Sequence, residues 1–131
     1  MELLGITDTG KVRRQNQDVF RTLCDEDRGI AVAVVCDGMG GASAGNIASE
    51  TAAETFMAFI SGFITSSKYL DDLPMSMADA VLAANCAVYE RGVRDKECAG
   101  MGTTLVAAAS SENGEVIVNI GDSRAYHITQ N

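Results

Sequence analysis

The chain has 131 residues, of which 47% are hydrophobic and 21% are charged, and its formal net charge is −8 at pH 7. These values indicate one globular domain with a buried core and exclude a disordered chain. The acidic balance argues against nucleic acid as a partner, because phosphate backbones are bound by basic patches. No apolar run reaches the roughly 18 residues that a transmembrane helix needs, so we expect no membrane partner either.

The N-terminal residues and the cysteines indicate a cytoplasmic protein. Residues 1–5 contain no basic region followed by an apolar stretch, so we predict no signal peptide. The four cysteines are Cys24, Cys36, Cys86 and Cys98. None of them forms a C-x-x-C pair, which argues against a zinc knuckle or a thioredoxin-like motif. We interpret all four as small core residues without disulfides.

The first half of the sequence predicts three strands followed by a helix. The strands are expected at residues 2–8, 17–24 and 30–36. The third is a continuous run of apolar and branched residues, which is typical of a buried strand. A helix is predicted over residues 46–66, because its apolar residues recur at steps of three and four.

The second half predicts a helix over residues 77–94, with Ser76 and Asp79 as a capping box at its start. Its apolar residues form two faces, so we expect burial on two sides. The second of these faces carries Leu82, Cys86 and Tyr89. Strands are predicted at residues 103–110, 115–120 and 124–129, with an Asn-Gly hairpin turn at 113–114. The order of strands, helices and strands indicates an antiparallel α+β fold rather than a βαβ repeat.

Two short polar segments carry residue types that bind phosphate or metal ions. Residues 10–18 include Arg13, whose guanidinium can hold a phosphate, and Asp18, whose carboxylate can bind a hard cation. Asp37 follows a buried strand and precedes Gly38 in a glycine-rich turn, which can present a carboxylate and a backbone carbonyl to a metal ion. On residue types alone, the first segment is more simply a polar surface loop, and the second is as well explained by a tight turn that caps a helix.

Two further segments, residues 100–105 and 119–126, adjoin the predicted strands. On residue types alone, Asp122 in the second of them is an ordinary hairpin residue. We interpret His127, the only histidine, as structural because no partner motif accompanies it. Ser43 stands where a dinucleotide-binding fingerprint has its third glycine, and the sequence has no Gly-Lys-Ser/Thr of a P-loop, which argues against both kinds of nucleotide site.

In chain order, the four segments resemble the motifs of the type 2C (PPM) family of metal-dependent serine/threonine protein phosphatases, in its bacterial branch. The motifs are V-R-x-x-N-x-D at 12–18, D-G-M-G-G at 37–41, G-M-G-T-T at 100–104 and N-x-G-D-S-R-A-Y at 119–126. Each is weak alone, but four in the same order are specific. The resemblance implies an antiparallel β-sandwich flanked by helices, in a four-layer αββα arrangement. It also implies that residues 1–131 are the N-terminal half of a single catalytic domain, so that this α+β fold is incomplete.

The resemblance assigns roles to five residues. Arg13 matches the arginine that holds the substrate phosphate, and Asp37 matches the aspartate that bridges two catalytic metal ions. Gly38 matches the glycine whose carbonyl binds one of these ions, and Asp18 matches a carboxylate of the metal shell. Asp122 matches an aspartate that bacterial members link to a third, weaker metal ion. The predicted catalytic residues are thus Arg13 and Asp37, and the predicted metal ligands are Asp18, Asp37, Gly38 and Asp122.

The implied function is removal of phosphate from phosphoserine and phosphothreonine in proteins, by a water that two Mn²⁺ or Mg²⁺ ions activate. The predicted partners are phosphorylated proteins, the products of a serine/threonine kinase. The second half of the family domain supplies two further metal aspartates, so we expect weak metal binding and little activity from this chain alone. The alternative is a non-catalytic half-domain that binds phosphoproteins or another partner.

Two departures from the family pattern and the open sheet edges add further expectations. Gln17 stands where many members carry glutamate, which removes one carboxylate from the metal shell. Met39 stands where eukaryotic members often have a histidine, whereas methionine is common in bacterial members. An incomplete sandwich leaves sheet edges that recruit other strands, so the chain could dimerise through them.

Overall fold

The computed structural model of the chain describes residues 1–40, 44–67 and 69–129. Its strands are β1 (Asp18–Asp25), β2 (Ile30–Met39), β3 (Gly102–Thr103), β4 (Leu105–Ser111) and β5 (Gly114–Ile120). Its helices are α1 (Ala44–Ser66) and α2 (Leu73–Arg94), and a short 3-10 helix at Lys96–Cys98 follows α2. Two strands, two helices and three strands thus follow one another, which is the predicted order in outline.

One antiparallel sheet organises these elements. Its strand order is β1-β2-β4-β5, and β3 pairs with the far end of β2. The central strand β2 lies between β1 and β4, and its side chains Val32, Val34 and Cys36 are completely buried. The helices cover this face of β2, whereas Val35 on the opposite face is 44% exposed, so the strand predicted to be buried is buried fully on one face only.

Both helices lie on one side of this sheet. α1 packs on β1 and β2, and α2 packs on α1. Phe56 and Ile60 of α1 and Met77 of α2 are completely buried in the resulting core. Burial of each of these side chains contributes about 1.5–3 kcal/mol. The amphipathic pattern of the sequence therefore places the core between the sheet and the helices.

The other face of the sheet has no helix over it in the part of the chain that the structure describes. On that face Val35 is 44% exposed and Ile117 is 46% exposed. The N-terminal residues lie against its β1 side, where a Cβ built on Gly5 would be only 2.1 Å from the ring of Phe20. A cavity of about 590 Å³ lies between this segment and the sheet. Half-exposed apolar side chains on a sheet face are suited to a second packed layer.

Two predicted strands are wrong. Residues 2–8 and 124–129 form no strand. Both segments are exposed, as shown by Leu4 at 95% and Ile128 at 88%. A strand is stabilised by hydrogen bonds to a neighbour, and among the described residues no strand pairs with either segment.

The predicted start of α2 is also wrong. The helix begins at Leu73, so Ser76 lies inside it and the predicted capping box does not form. Asp72 occupies the N-cap position, and Pro74 lies in the first turn. Proline is tolerated there because the N–H groups of a first helical turn have no partner within the helix.

The structure differs from the prediction in four smaller details. The second apolar face of α2 is not buried, since Leu82 is 63% and Tyr89 is 71% exposed. The predicted strand 103–110 is divided at Thr104 into β3 and β4. The β4–β5 hairpin is confirmed, but the register Ser111↔Gly114 places its two loop residues at 112–113 rather than at Asn-Gly. α1, finally, begins at Ala44, slightly before its predicted start.

The prediction of an antiparallel α+β fold is confirmed. Residues 1–40, 44–67 and 69–129 supply one sheet and one helical layer of the predicted four-layer arrangement. Among these residues, no helix combines the length and the apolar character that crossing a membrane would require.

The cysteines divide into a buried and an exposed pair. Cys36 and Cys98 are buried, as predicted, whereas the interpretation of Cys24 and Cys86 as core residues is wrong because both are exposed. All four are free. Burial raises the pKa of Cys36 to about 12 and also raises the pKa of Cys98. Both buried thiols therefore stay protonated and unreactive at pH 8.

We expect two thiols of the native chain to react rapidly with a chromogenic disulfide reagent at pH 8, and the other two to react only after unfolding. A Cys24→Ser/Cys86→Ser variant should contain no rapidly reacting thiol, because these are the exposed pair. Rapid reaction of three or four thiols, in wild-type chain shown to be folded by circular dichroism, would contradict the burial of Cys36 and Cys98.

Candidate metal and phosphate site

The β1–β2 hairpin brings two predicted metal ligands together. Asp18, the first residue of β1, pairs directly with Asp37 of β2. Directly opposed residues of antiparallel strands have Cβ atoms about 4.5–5.5 Å apart on the same face. The two carboxyl groups are close enough to hydrogen-bond each other. Asp37 lies inside β2, which runs on to Met39, and not in the turn after the strand as predicted.

The electrostatics of Asp37 reflect this crowding. Burial is the largest cause of its raised pKa, followed by the hydrogen bond and the charge of Asp18. The charge of Asp122 raises the pKa further, whereas the guanidinium of Arg13 acts in the opposite direction. Asp37 thus lies within electrostatic reach of the other three predicted side chains. A divalent cation would stabilise such a group of carboxylates in the ionised form, because it replaces the proton.

Two threonines hold the backbone of Asp37. The Thr104 hydroxyl accepts a hydrogen bond from the Asp37 N–H at 3.0 Å. The Thr104 N–H donates to the Asp37 carbonyl at 2.9 Å, and the Thr103 hydroxyl donates to the same carbonyl at 3.0 Å. Asp37 is therefore fixed on both sides of its Cα, which places its carboxylate on a rigid element.

Gly38 occupies a position that admits no side chain. Its N–H donates to the Gln17 carbonyl at 3.0 Å. A Cβ built on Gly38 would lie 2.0 Å from the carbonyl oxygen of Gly45, in the first turn of α1. Gly45 in turn packs against the Gln17 side chain. The two glycines allow α1 to begin directly against β1 and β2.

The segment before β1 is held by a series of hydrogen bonds. The Asn16 side-chain amide donates to the Thr7 hydroxyl at 2.7 Å, and the Asn16 Oδ1 accepts the Asp18 N–H at 3.0 Å. These bonds fix the start of β1, which carries Asp18. Arg13 is exposed in the preceding loop. Its guanidinium acts to lower the pKa of Asp37, so the charge of Arg13 is felt at that carboxyl group.

The turn after β5 carries Asp122. Gly121 in this turn has a φ of 105°, and a Cβ built on it would lie 2.8 Å from the Thr104 methyl carbon. The Ser123 hydroxyl oxygen is 2.6 Å from the Thr104 hydroxyl oxygen. The turn is therefore packed against the residue that also holds Asp37.

The oxygen ligands suit a hard divalent cation but supply only part of its shell. Carboxylate and carbonyl oxygens are the ligands that Mg²⁺ and Mn²⁺ prefer. The adjacent carboxylates of Asp18 and Asp37, with the raised pKa of Asp37, fit such a cation. In the part of the chain that the structure describes, no three His, Cys, Asp or Glu side chains are grouped closely enough to hold a metal ion. Further ligands would have to come from water, from backbone carbonyls such as that of Gly38, or from other residues.

Sequence reasoning did not find the roles of Thr103, Thr104 and Ser123. A signal was present, since all three lie in segments that the motifs had singled out. Which hydroxyl meets which backbone atom depends on strand pairing, and the sequence pattern does not reveal that pairing. His127 lies 3.2 Å from Glu115, at the opposite end of β5 from the Asp122 turn, which is consistent with a structural role.

Known proteins are similar to this chain in sequence and in fold. The sequence model of the family described as Protein phosphatase 2C matches residues 10–131. Protein phosphatase PhpP of Streptococcus pneumoniae is 34% identical over 125 residues, which are 95% of this chain and 49% of that protein. The serine/threonine phosphatase of S. agalactiae superposes with a TM-score of 0.74 at 34% identity, over 91% of this chain and 48% of that one.

A third relative was solved with metal ions. The catalytic domain of the serine/threonine protein phosphatase PstP, in complex with two manganese ions, has a TM-score of 0.69 and 32% identity to this chain. The match covers 89% of this chain and 46% of the PstP chain. This chain therefore belongs to the protein phosphatase 2C family, and it spans about half the length of the relatives that it matches.

Proposed function

We propose that the chain is the N-terminal half of a catalytic domain that hydrolyses phosphoserine and phosphothreonine in proteins, with Mn²⁺ or Mg²⁺ as the metal. The observation that carries this proposal is that Asp18 pairs directly with Asp37 across the β1–β2 hairpin, while the charges of Asp122 and Arg13 also affect the pKa of Asp37. Carboxylates beside an arginine can hold divalent cations and a phosphate monoester together. The family membership and the two manganese ions in PstP support the reaction and the metal.

Each residue has a distinct proposed role. Asp18 and Asp37 hold the cations, with the Gly38 carbonyl as a further ligand and Asp122 as a ligand of a third ion. The Arg13 guanidinium holds and orients the phosphate through parallel hydrogen bonds. When bound, the cations activate a water and neutralise charge on the phosphoryl oxygens.

The proposal extends to partners and compartment. The substrates are proteins phosphorylated by a serine/threonine kinase. The free state of all four cysteines supports a reducing compartment such as the cytoplasm. Among the described strands β1 and β5 lie at the sheet edges, so a dimer would form by edge pairing of these strands.

Substitution of Arg13 tests the proposed phosphate contact. In the complete polypeptide that carries these 131 residues, Arg13→Ala is expected to lower kcat/KM for a phosphothreonine peptide about 10- to 100-fold, because a charge-assisted hydrogen bond is lost. Arg13→Lys should recover only part of this loss, since an ammonium cannot form the bidentate contact. The measurement is Mn²⁺-dependent release of inorganic phosphate.

Arg14→Ala is the matched control, because it removes the adjacent exposed arginine. We expect this variant to retain activity within about twofold. Equal losses from the two substitutions would show that general positive charge, rather than a specific contact by Arg13, supports the reaction. Full activity of Arg13→Ala would remove Arg13 from the site.

One observation favours a second candidate function, namely phosphoprotein binding without turnover. The described residues contain no group of three or more side chains that could hold a metal ion. A binding module of this kind would lose affinity for a phosphothreonine peptide on Arg13→Ala. It would release no phosphate with Mn²⁺, even in the complete polypeptide, so the same assay separates the two functions.

A further inference from the structure

The contact between Thr104 and Ser123 connects two parts of the site that are distant in sequence. Asp37 lies in β2, whereas Asp122 lies in the turn after β5. These two strands are not neighbours in the sheet, because β4 lies between them. Thr104, at the break between β3 and β4, contacts both parts.

The Thr104 hydroxyl has two hydrogen-bond partners in this buried position. The side chain is 7% exposed, which makes it one of the few buried polar side chains in the described part of the chain. A hydroxyl has one donor hydrogen and two acceptor lone pairs. One lone pair accepts the Asp37 N–H at 3.0 Å, and the hydroxyl also lies 2.6 Å from the Ser123 hydroxyl. A buried hydroxyl with two partners specifies the relative position of both.

The Asp122 turn is held on both sides of Asp122. Before it, Gly121 packs against the Thr104 methyl group so closely that a Cβ would be 2.8 Å from it. After it, Ser123 contacts the Thr104 hydroxyl, and the Asn119 side chain donates to the Ser123 carbonyl at 2.9 Å. Asn119 belongs to β5, so its bond orders the turn only relative to its own strand. Among the side-chain hydrogen bonds of the described residues, the bond between Thr104 and Ser123 is the one that ties the turn to the Asp37 backbone.

We propose that Thr104 and Ser123 are positioning residues, whose hydroxyl contact fixes Asp122 relative to Asp37. This inference rests on the proposed function, in which both aspartates hold cations. Neither hydroxyl touches the phosphate or a cation in this role. The hydroxyl group of Thr104 carries this role, whereas its methyl group only fills the space beside Gly121.

The test compares four variants of the 131-residue chain. Thr104→Val keeps the shape but removes the hydroxyl, and Thr104→Ser keeps the hydroxyl but removes the methyl group. Ser123→Ala removes the other partner. Ser49→Ala is the matched control, because Ser49 is also buried and its hydroxyl donates to the Asn46 carbonyl at 3.1 Å inside α1.

The first measurement is amide hydrogen exchange by NMR. Thr104→Val should raise exchange about 10-fold or more at Asp37 and at residues 121–123, because one acceptor and one turn contact are lost. Ser123→Ala should raise exchange in the turn but not at Asp37, and Thr104→Ser should protect Asp37 as in the wild type. Ser49→Ala should change neither region beyond its effect on global stability.

The second measurement is Mn²⁺ affinity by electron paramagnetic resonance, with the same variants made in the complete polypeptide that carries these 131 residues. Thr104→Val and Ser123→Ala should weaken binding about three- to tenfold, while Thr104→Ser and Ser49→Ala stay close to the wild type. Unchanged exchange in Thr104→Val, or altered exchange with unchanged Mn²⁺ affinity, would overturn the positioning role. If Thr104→Val does not fold, the test rests on Ser123→Ala. Unchanged exchange in the turn, or altered exchange with unchanged Mn²⁺ affinity, would then overturn the positioning role. Absence of Mn²⁺ binding by the complete wild-type polypeptide would instead count against the proposed function. The exchange measurements alone would then show whether the contact between Thr104 and Ser123 orders the turn.

Discussion

In the complete polypeptide that carries these 131 residues, Asp37→Asn is expected to reduce the affinity for Mn²⁺ by about 100-fold or more, since it removes a proposed carboxylate ligand that the neighbouring Asp18 alone cannot replace. The same substitution should leave the metal-free chain at least as stable as the wild type at pH 7. The reason is that burial and Asp18 already disfavour the charged form of Asp37 and raise its pKa in the folded state. A variant that loses metal binding without losing stability would separate the ligand role from a structural role.

The raised pKa of Asp37 also predicts the direction in which the stability of the metal-free chain changes with pH. Because the pKa of Asp37 is raised on folding, the folded chain binds its proton more tightly than the unfolded chain does. Stability of the metal-free wild type should therefore fall as pH rises from the ordinary aspartate pKa through the raised folded value. Below this window both states carry the proton, so the wild type and Asp37→Asn should have similar pH dependence there.

Asp27→Asn is the control, because Asp27 is an exposed carboxylate in the β1–β2 turn. It should change neither Mn²⁺ affinity, measured by electron paramagnetic resonance, nor the pH dependence of urea unfolding beyond a few tenths of a kcal/mol. Retention of wild-type Mn²⁺ affinity by Asp37→Asn would remove Asp37 from the metal site.

Gly38→Ala is expected to destabilise the chain by about 3 kcal/mol or more, because the new Cβ would overlap backbone atoms that cannot move independently. It would lie 2.0 Å from the Gly45 carbonyl oxygen, 2.5 Å from the Gly45 carbonyl carbon and 3.0 Å from the Gln17 carbonyl oxygen. Relief of these contacts requires the first turn of α1 to move away from β2. Since stability totals only about 5–15 kcal/mol in most proteins, a loss of this size should be evident as an early urea transition.

Gly62→Ala is a matched substitution in which the same methyl group has free space. Gly62 lies inside α1, and nothing would approach its Cβ within 4 Å. Alanine is favoured over glycine in a helix, so we expect a gain of about 0.5–1 kcal/mol. Similar unfolding midpoints for Gly38→Ala and the wild type would show that β2 and α1 are not packed as closely as the structure has them.

Local pattern in the sequence determined much of the fold. The apolar run at 30–36 became most of β2, and the steps of three and four in the apolar residues located both helices. These features follow from near neighbours, because a run of branched apolar residues and a helix with one apolar face each have a local signature. The order of the motifs also indicated Arg13, Asp18, Asp37, Gly38 and Asp122 before any contact was known.

Only the tertiary structure shows which segments pair as strands. The patterns at 2–8 and 124–129 resemble strands, yet neither pairs in the described structure, since a ladder needs a second strand that local sequence does not specify. The opposition of Asp18 and Asp37 depends on the register of the β1–β2 hairpin, and a slip of one residue would place one carboxylate on the opposite face. Likewise, Thr104 meets Asp37 and Ser123 only because β2, β4 and β5 lie side by side. The sequence by itself thus predicted candidate residues for the site, whereas long-range strand pairing decided which of them lie together and which hydroxyl groups meet.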